Sequence, residues 1–192
     1  LQQPLLEAVD GGACVLGVCN GFQILVQLGL LPGLDRESGE WPAPTTALVE
    51  NTSGRFIDDW VHVRVESESP CIWTRSWAAM AKQPNADDLL QLPFAHGEGR
   101  LICASDDDLK RLLDAGCAPL RYVENPNGSS ADIAGLCDPS GRVFGLMPHP
   151  ERYIEWNRHP YWTRLSTDVR RGDAPGHLCF TDAVAAVNAQ TV

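Results

Sequence analysis

The sequence has no long apolar run, no surplus of positive charge and no paired-cysteine signature, and each absence closes a class of function. No stretch approaches the roughly 20 consecutive apolar residues that span a bilayer, so no membrane helix and no membrane partner are expected. Asp and Glu number 25 against 15 Lys and Arg, giving a net charge of −10. Phosphate backbones need a basic face, so nucleic acid is not expected as a partner. Seven cysteines stand at positions 14, 19, 71, 103, 117, 137 and 179, an odd number without one C-x-x-C. That pattern fits reduced thiols in a cytoplasmic protein, most of them small core residues. Histidines 62, 96, 159 and 177 show no ligand spacing, and no metal site is expected. The opening "LQQPLLEAVDGG" lacks an initiator methionine, a basic n-region and a signal-type apolar core. It reads as the interior of a longer chain. Internal repeats and low-complexity tracts are absent as well.

What is present suits one globular domain over residues 1–192, with 44% hydrophobic and 21% charged residues. The apolar run at 13–18 predicts a strand buried on both faces of a parallel sheet. Phe22, Leu25, Val26 and Leu28 then recur at helical spacing, and Gly29 closes that helix. "WVHVRVE" at 60–66 alternates as a half-buried strand. "SDDDLKRLLDAG" offers Ser105 as N-cap and Gly116 as stop. "RYVE", "ADIAGLCD" and "RVFGLMP" read as strands joined by the turns "NPNG" and "PSG". A final helix is expected near 180–189. Parallel-type strand and helix first, meander later, indicates an α/β domain with a mixed sheet.

Two short stretches carry chemistry. In "GVCNGFQ", residues 17–23, Cys19 sits between glycines at a strand-to-helix junction, the layout of a nucleophile elbow. Gly17 and Gly21 are expected to relieve crowding between strand and helix. The helix N-terminus should lower the thiol pKa and favour thiolate. The Asn20 backbone N–H should point at the oxygen of an attacked carbonyl. By itself the pattern is equally compatible with a buried cysteine packed by glycines.

A cysteine nucleophile needs a base, and the base needs an orienting group. "FGLMPHPER" supplies His149 and Glu151 after an apolar strand. Prolines 148 and 150 are expected to hold the backbone extended, so that residues two apart project the same way. Alone, a histidine after a strand is more often an ordinary hydrogen-bonded residue.

Taken together, "GVCNGFQILVQLGLLPG", "HGEGR" and "NPNGSSADIAGLCDPSGRVFGLMPHPER" resemble the glutamine amidotransferase subunits of phosphoribosylformylglycinamidine synthases. The likeness runs in order over roughly 13–152. It implies a flavodoxin-like class I amidotransferase fold, a mostly parallel mixed sheet flanked by helices. It also implies a catalytic triad of Cys19, His149 and Glu151, with Asn20 and Gln23 at the bound glutamine. "HGEGR" resembles the loop over the glutamine pocket, which places His96, Gly97 and Glu98 along it. The implied activity is hydrolysis of glutamine through a cysteine thioester, supplying ammonia for formylglycinamidine ribonucleotide synthesis in purine biosynthesis. The implied partners are a synthetase subunit, which would use ATP and magnesium, and a small accessory subunit. No cofactor is expected in this chain.

Two features depart from the resemblance. The family's opening strand, and the glycine-containing loop that gives a second oxyanion N–H, have no counterpart, so an N-terminally truncated domain lacking strands is expected. The stretch 155–176, with arginines 158, 164, 170 and 171, is longer than in compact members and reads as a solvated loop. Three other readings stay open: an amidotransferase for a different synthetase, a hydrolase or chaperone of the related cysteine-elbow proteins, and a docking scaffold.

Overall fold

The apolar run after Gly12 becomes the first strand, and the chain turns at Cys19 straight into a helix, as the sequence pattern requires. A computed structural model describes residues 2–37, 43–83 and 86–189. Along the chain come α1 (Gln2–Asp10), β1 (Val15–Val18), α2 (Asn20–Gln27), β2 (Thr46–Glu50) and β3 (Ile57–Val65). Next are α3 (Arg75–Met80), α4 (Ala86–Leu89), β4 (Gln91–His96), β5 (Glu98–Cys103) and α5 (Asp106–Asp114). The remainder is β6 (Leu120–Tyr122), β7 (Ile133–Cys137), β8 (Val143–Leu146), α6 (Thr167–Arg170) and α7 (Pro175–Asn188).

Six strands form one sheet in the order β1-β8-β7-β6-β3-β4, and β2 and β5 form a separate two-stranded ribbon. The class is the expected mixed α/β. Among the described ladders, parallel pairing is confined to β1 and β8, in register from Val15 with Val143 to Val18 with Leu146. The other ladders of the sheet are antiparallel. β1 ends the described sheet, and Val15, Leu16 and Val18 are only half-buried. The expectation of burial on both faces is thereby corrected: the outer edge of β1 faces no described strand.

The alternating valines of β3 behave as read, with Val61 and Val63 buried between exposed residues. In α5, Ser105 Oγ accepts from the Asp108 N–H at 3.1 Å, and three aspartates occupy the first turn. β4 was not legible, because "QLPFAH" holds a proline. As an edge strand it tolerates Pro93, whose missing N–H would face away from β3. The final helix begins at Pro175, earlier than expected, since proline suits the first turn of a helix.

The 155–176 stretch is not a solvated loop throughout. His159 is buried, with its ring 5.3 Å from Trp60 and 5.5 Å from Tyr153. Tyr153 is fully enclosed and stacks edge-on to Trp60 at 5.0 Å. Packing of the buried Tyr153 and His159 rings on the half-buried Trp60 anchors the segment to β3 while its outer side chains remain in solvent.

Candidate active site

Gly17, the penultimate residue of β1, faces α2: a Cβ there would lie 2.7 Å from the Gly21 backbone. Only glycine permits that approach. Gly21 itself has open space where a Cβ would go, so the two glycines are not equivalent as expected. The tight approach forces the chain over abruptly at Cys19, whose φ of 52° and ψ of −106° are unfavourable for a side-chain-bearing residue. The turn is held by hydrogen bonds on both sides. Cys19 N–H donates to Leu146 O at 2.9 Å, and Cys19 O accepts the first helical bond, from Gln23 N–H, at 3.1 Å.

His149 arrives from the neighbouring strand. β8 runs parallel to β1 with Leu146 opposite Val18, so Cys19 and His149 both leave the same end of the sheet. The expected extended backbone is not what aligns His149 with Glu151. After His149, Pro150–Arg152 forms a 3-10 turn, and this turn swings Glu151 back until its Oε1 lies 2.6 Å from His149 Nδ1. A carboxylate can only accept, so Nδ1 carries the proton and Nε2 is left as the acceptor. Nε2 is buried and has no hydrogen-bond partner among the described residues.

The sheet curls until its far edge closes over this end. Residues 93 and 95 of β4 turn their carbonyls outward; Pro93 O accepts His149 N–H at 2.7 Å, and Ala95 O lies 3.9 Å from Cys19 Sγ. Burial raises the Cys19 pKa from its ordinary value; the Asn20 N–H and the Arg152 charge oppose this, and Glu151 adds to it. The helix N-terminus therefore does not make a resting thiolate, contrary to expectation. Desolvation of the charged form outweighs the single N–H that reaches the sulfur.

A buried imidazole with an oriented tautomer and a strained thiol leave the same end of two adjacent strands, with no hydrogen bond between them among the described residues, and these are the groups that thiol-based acyl transfer uses. The family model for CobB/CobQ-like glutamine amidotransferase domains matches residues 6–186. The chain belongs to that family. Phosphoribosylformylglycinamidine synthase subunit PurQ of Synechococcus sp. (strain JA-3-3Ab) is 49% identical over 77% of this chain and 56% of that protein. The PurQ subunit of Dehalococcoides mccartyi is 36% identical over 91% of this chain and 64% of its own length. The chain thus spans somewhat over half the length of these relatives. A solved structure of PurLQS from Thermotoga maritima superimposes with a TM-score of 0.66 at 31% identity, covering 95% of this chain and 66% of that one.

Within this amidotransferase domain the remaining anticipated residues take different positions. Gln23 projects from α2 and donates to Glu98 O at 2.6 Å, tying the elbow helix to the β4–β5 turn. Gly97 makes that turn, and the Glu98 side chain is exposed. His96 points inward, 4% exposed, packed on Phe94 at 4.0 Å. Its ring occupies the space beside Gly99, where a Cβ would come within 2.3 Å of it. Burial, and secondarily the neighbouring His149, hold the His96 pKa down to about 4. "HGEGR" is therefore not a uniform pocket wall.

The "NPNG" turn has a second task that its sequence does not show. Asn127 is fully buried; its Nδ2 donates to Gly99 O at 2.9 Å, and its Oδ1 accepts from Ser129 N–H and Oγ–H. Ser129 Oγ in turn accepts from Leu101 N–H at 3.0 Å. This network fixes the strand beyond His96. Arg152, near enough to act on both Cys19 and Glu151, was missed as well; only the folded turn brings it there. Among the described residues no group of three or more His, Cys, Asp or Glu is placed to hold a metal ion, and no helix is long and apolar enough to cross a membrane.

Proposed function

We propose that the chain is the glutaminase module of a phosphoribosylformylglycinamidine synthase, working in the cytoplasm beside a synthetase subunit and a small accessory subunit. The observation that carries this reading is the 2.6 Å Glu151–His149 contact, which leaves a buried Nε2 to serve the thiol at the elbow. Because Cys19 rests protonated, His149 takes the Sγ proton as the sulfur attacks the glutamine carboxamide carbon. The Asn20 N–H steadies the developing oxyanion. His149 then returns the proton to the departing ammonia, leaving a glutamyl thioester on Cys19. Water, deprotonated by His149, hydrolyses the thioester and releases glutamate. Glu151 keeps Nδ1 protonated and stabilises the imidazolium at each stage. Gln23 and the 96–98 turn border the substrate. No step needs a metal or organic cofactor from this chain; ATP and magnesium belong to the partner that consumes the ammonia.

The likeness to PurQ subunits favours this synthetase over others, and Asn rather than His after the cysteine disfavours the related hydrolases and chaperones. Replacing Cys19 with Ser in the complete assembly should abolish glutamine-dependent product while sparing synthesis from added ammonium. Glutamine-dependent turnover near wild type would move the nucleophile elsewhere and end the proposal.

A further inference from the structure

One charged side chain beside the proposed triad has no part in the mechanism above. Arg152 closes the 3-10 turn Pro150–Arg152, and its Nε lies 3.8 Å from Glu151 Oε1. That oxygen is also the one 2.6 Å from His149 Nδ1, so imidazole and guanidinium converge on a single carboxylate oxygen. In an extended segment residues 151 and 152 would project to opposite sides, and only the turn brings both charges to bear on the elbow. The backbone around Arg152 is held from two directions. Its N–H donates to His149 O at 3.1 Å, and Tyr153 O accepts from Gly176 N–H at 3.1 Å. A Cβ at Gly176 would lie 2.0 Å from Pro150 O, so α7 packs directly behind the turn.

Stability does not account for this arginine. The Arg152 and Glu151 side chains are 50% and 45% exposed, and an ion pair in so open a position adds little to folding. The field at the sulfur gives it a task. Burial is the main cause of the raised Cys19 pKa; the Asn20 N–H and the Arg152 charge lower it, and Glu151 raises it. Of the charges that act on Cys19, Arg152 is the positive one and Glu151 the negative one. From the other elements, His96 of β4 and the Tyr122 hydroxyl of β6 add no charge at neutral pH. Burial holds the first down to about 4 and the second well above its ordinary value. The Glu98 side chain on the β4–β5 turn is exposed. A carboxylate beside this site works in two directions. It favours the imidazolium formed as His149 takes the proton, and it opposes the negative charge that the same transfer leaves on sulfur.

We propose that Arg152 is a positioning residue of the glutaminase site, holding the Glu151 carboxylate on His149 Nδ1 and cancelling its repulsion of the attacking sulfur. The inference rests on the glutaminase reading above and adds to Cys19, His149 and Glu151 a residue that acts through the carboxylate. No bond to Arg152 forms or breaks, and the proton still passes from Sγ to Nε2 and on to the departing ammonia. With Arg152 present the four side chains sum to zero net charge before and after that transfer. Without it the site carries a net negative charge throughout, which partial burial makes costly at the sulfur.

The test measures glutaminase turnover in the complete assembly, and alkylation of Cys19 by iodoacetamide across pH, followed on the Cys19 peptide by mass spectrometry. Arg152→Gln and Arg152→Met should each lower kcat on the order of tenfold with KM little changed. Both should move the Cys19 alkylation profile upward by about one pH unit, which is tenfold in thiolate population. Arg152→Lys keeps the charge and should restore most of both. In a Glu151→Gln background the repulsion is gone, so Arg152→Gln should cost less there than in the wild type, as coupled groups do. Circular dichroism should stay as in wild type, and either neutral variant that folds is sufficient. Wild-type kcat with an unmoved alkylation profile in the neutral variants overturns the proposal and leaves the glutaminase reading standing. A rise in KM alone also overturns it, by making Arg152 a ligand of the substrate, and so does loss of the fold in both neutral variants. A wild-type assembly without glutaminase activity overturns the functional reading itself.

Discussion

Burial raises the pKa of Cys19, and the thiols of Cys117 and Cys137 are held far higher, so the elbow thiol is the more acidic one even though its pKa lies above the ordinary value. Cys117 is held up first by its hydrogen bond to Cys137 and then by burial. For Cys137 the bond from Cys117 pulls down, while Cys71 and burial push up. What differs is the surroundings. Cys71, Cys117 and Cys137 are at most 2% exposed and hydrogen-bond with one another, with Ser69 and, from Cys117, with Ala115 O. Cys19 is half-buried, strained at positive φ, and has a backbone N–H, an arginine charge and the outward carbonyls of β4 as neighbours. The proposed nucleophile is set apart by access and by the imidazole that follows the adjacent strand.

The comparison breaks most clearly at the base. His149→Ala should leave Cys19 nearly as inert as the buried thiols, lowering glutaminase kcat about 10²–10⁴-fold. Glu151→Gln should cost less, because the imidazole survives and only its tautomer and charge lose support. Steady-state glutaminase assays with the partner present would read both. A larger loss from Glu151→Gln than from His149→Ala would invert the assigned roles.

Alkylation sharpens it. Iodoacetamide followed by peptide mass spectrometry should modify Cys19 at least about 10²-fold faster than Cys117, Cys137 or Cys179. Those three need a local opening costing roughly 3 kcal/mol or more before reagent reaches them. Equal rates would mean that the packing around the buried group is looser than described.

The smallest effect concerns His96, the titratable group that burial disturbs beside the elbow. Above its ordinary value of 6.5 it is neutral whether the chain is folded or not. Below that, the unfolded chain takes up a proton that the folded one refuses until about pH 4, so folding stability falls as pH drops through this window. At pH 5.5 the loss is on the order of 1 kcal/mol, and His96→Gln should remove it. Urea midpoints at pH 7 and 5.5 would show this. An unchanged pH slope in the variant would place the sensitivity in another group.

Local signals were legible because their causes are local. The apolar run into Gly-x-Cys-x-Gly, the capped α5 and the alternating valines of β3 each depend on a few neighbouring residues, and all three appear in the fold. The residues of the proposed triad were readable for a similar reason, since "GVCNGFQ" and "MPHPER" are compact signals. Other readings failed where distant segments decide. The sequence suggested an extended His149–Glu151 pair, but packing of α7 behind Pro150 and Tyr153 sets a 3-10 turn. It suggested a lowered thiol pKa at the helix N-terminus, but partial burial of Cys19, with Ala95 O of β4 3.9 Å from its sulfur, raises that pKa instead.

Neighbours along the chain are enough to set the strand into the elbow, the capped helix and the turns, and to supply a thiol, an imidazole and a carboxylate. How these groups behave is set by packing across the fold. The proton of Cys19, the acidity of His96 and the engagement of Asn127 depend on desolvation and on hydrogen bonds between residues some 28 to 76 positions apart. Such contacts exist only once the sheet has curled and brought its far edge to the ends of β1 and β8.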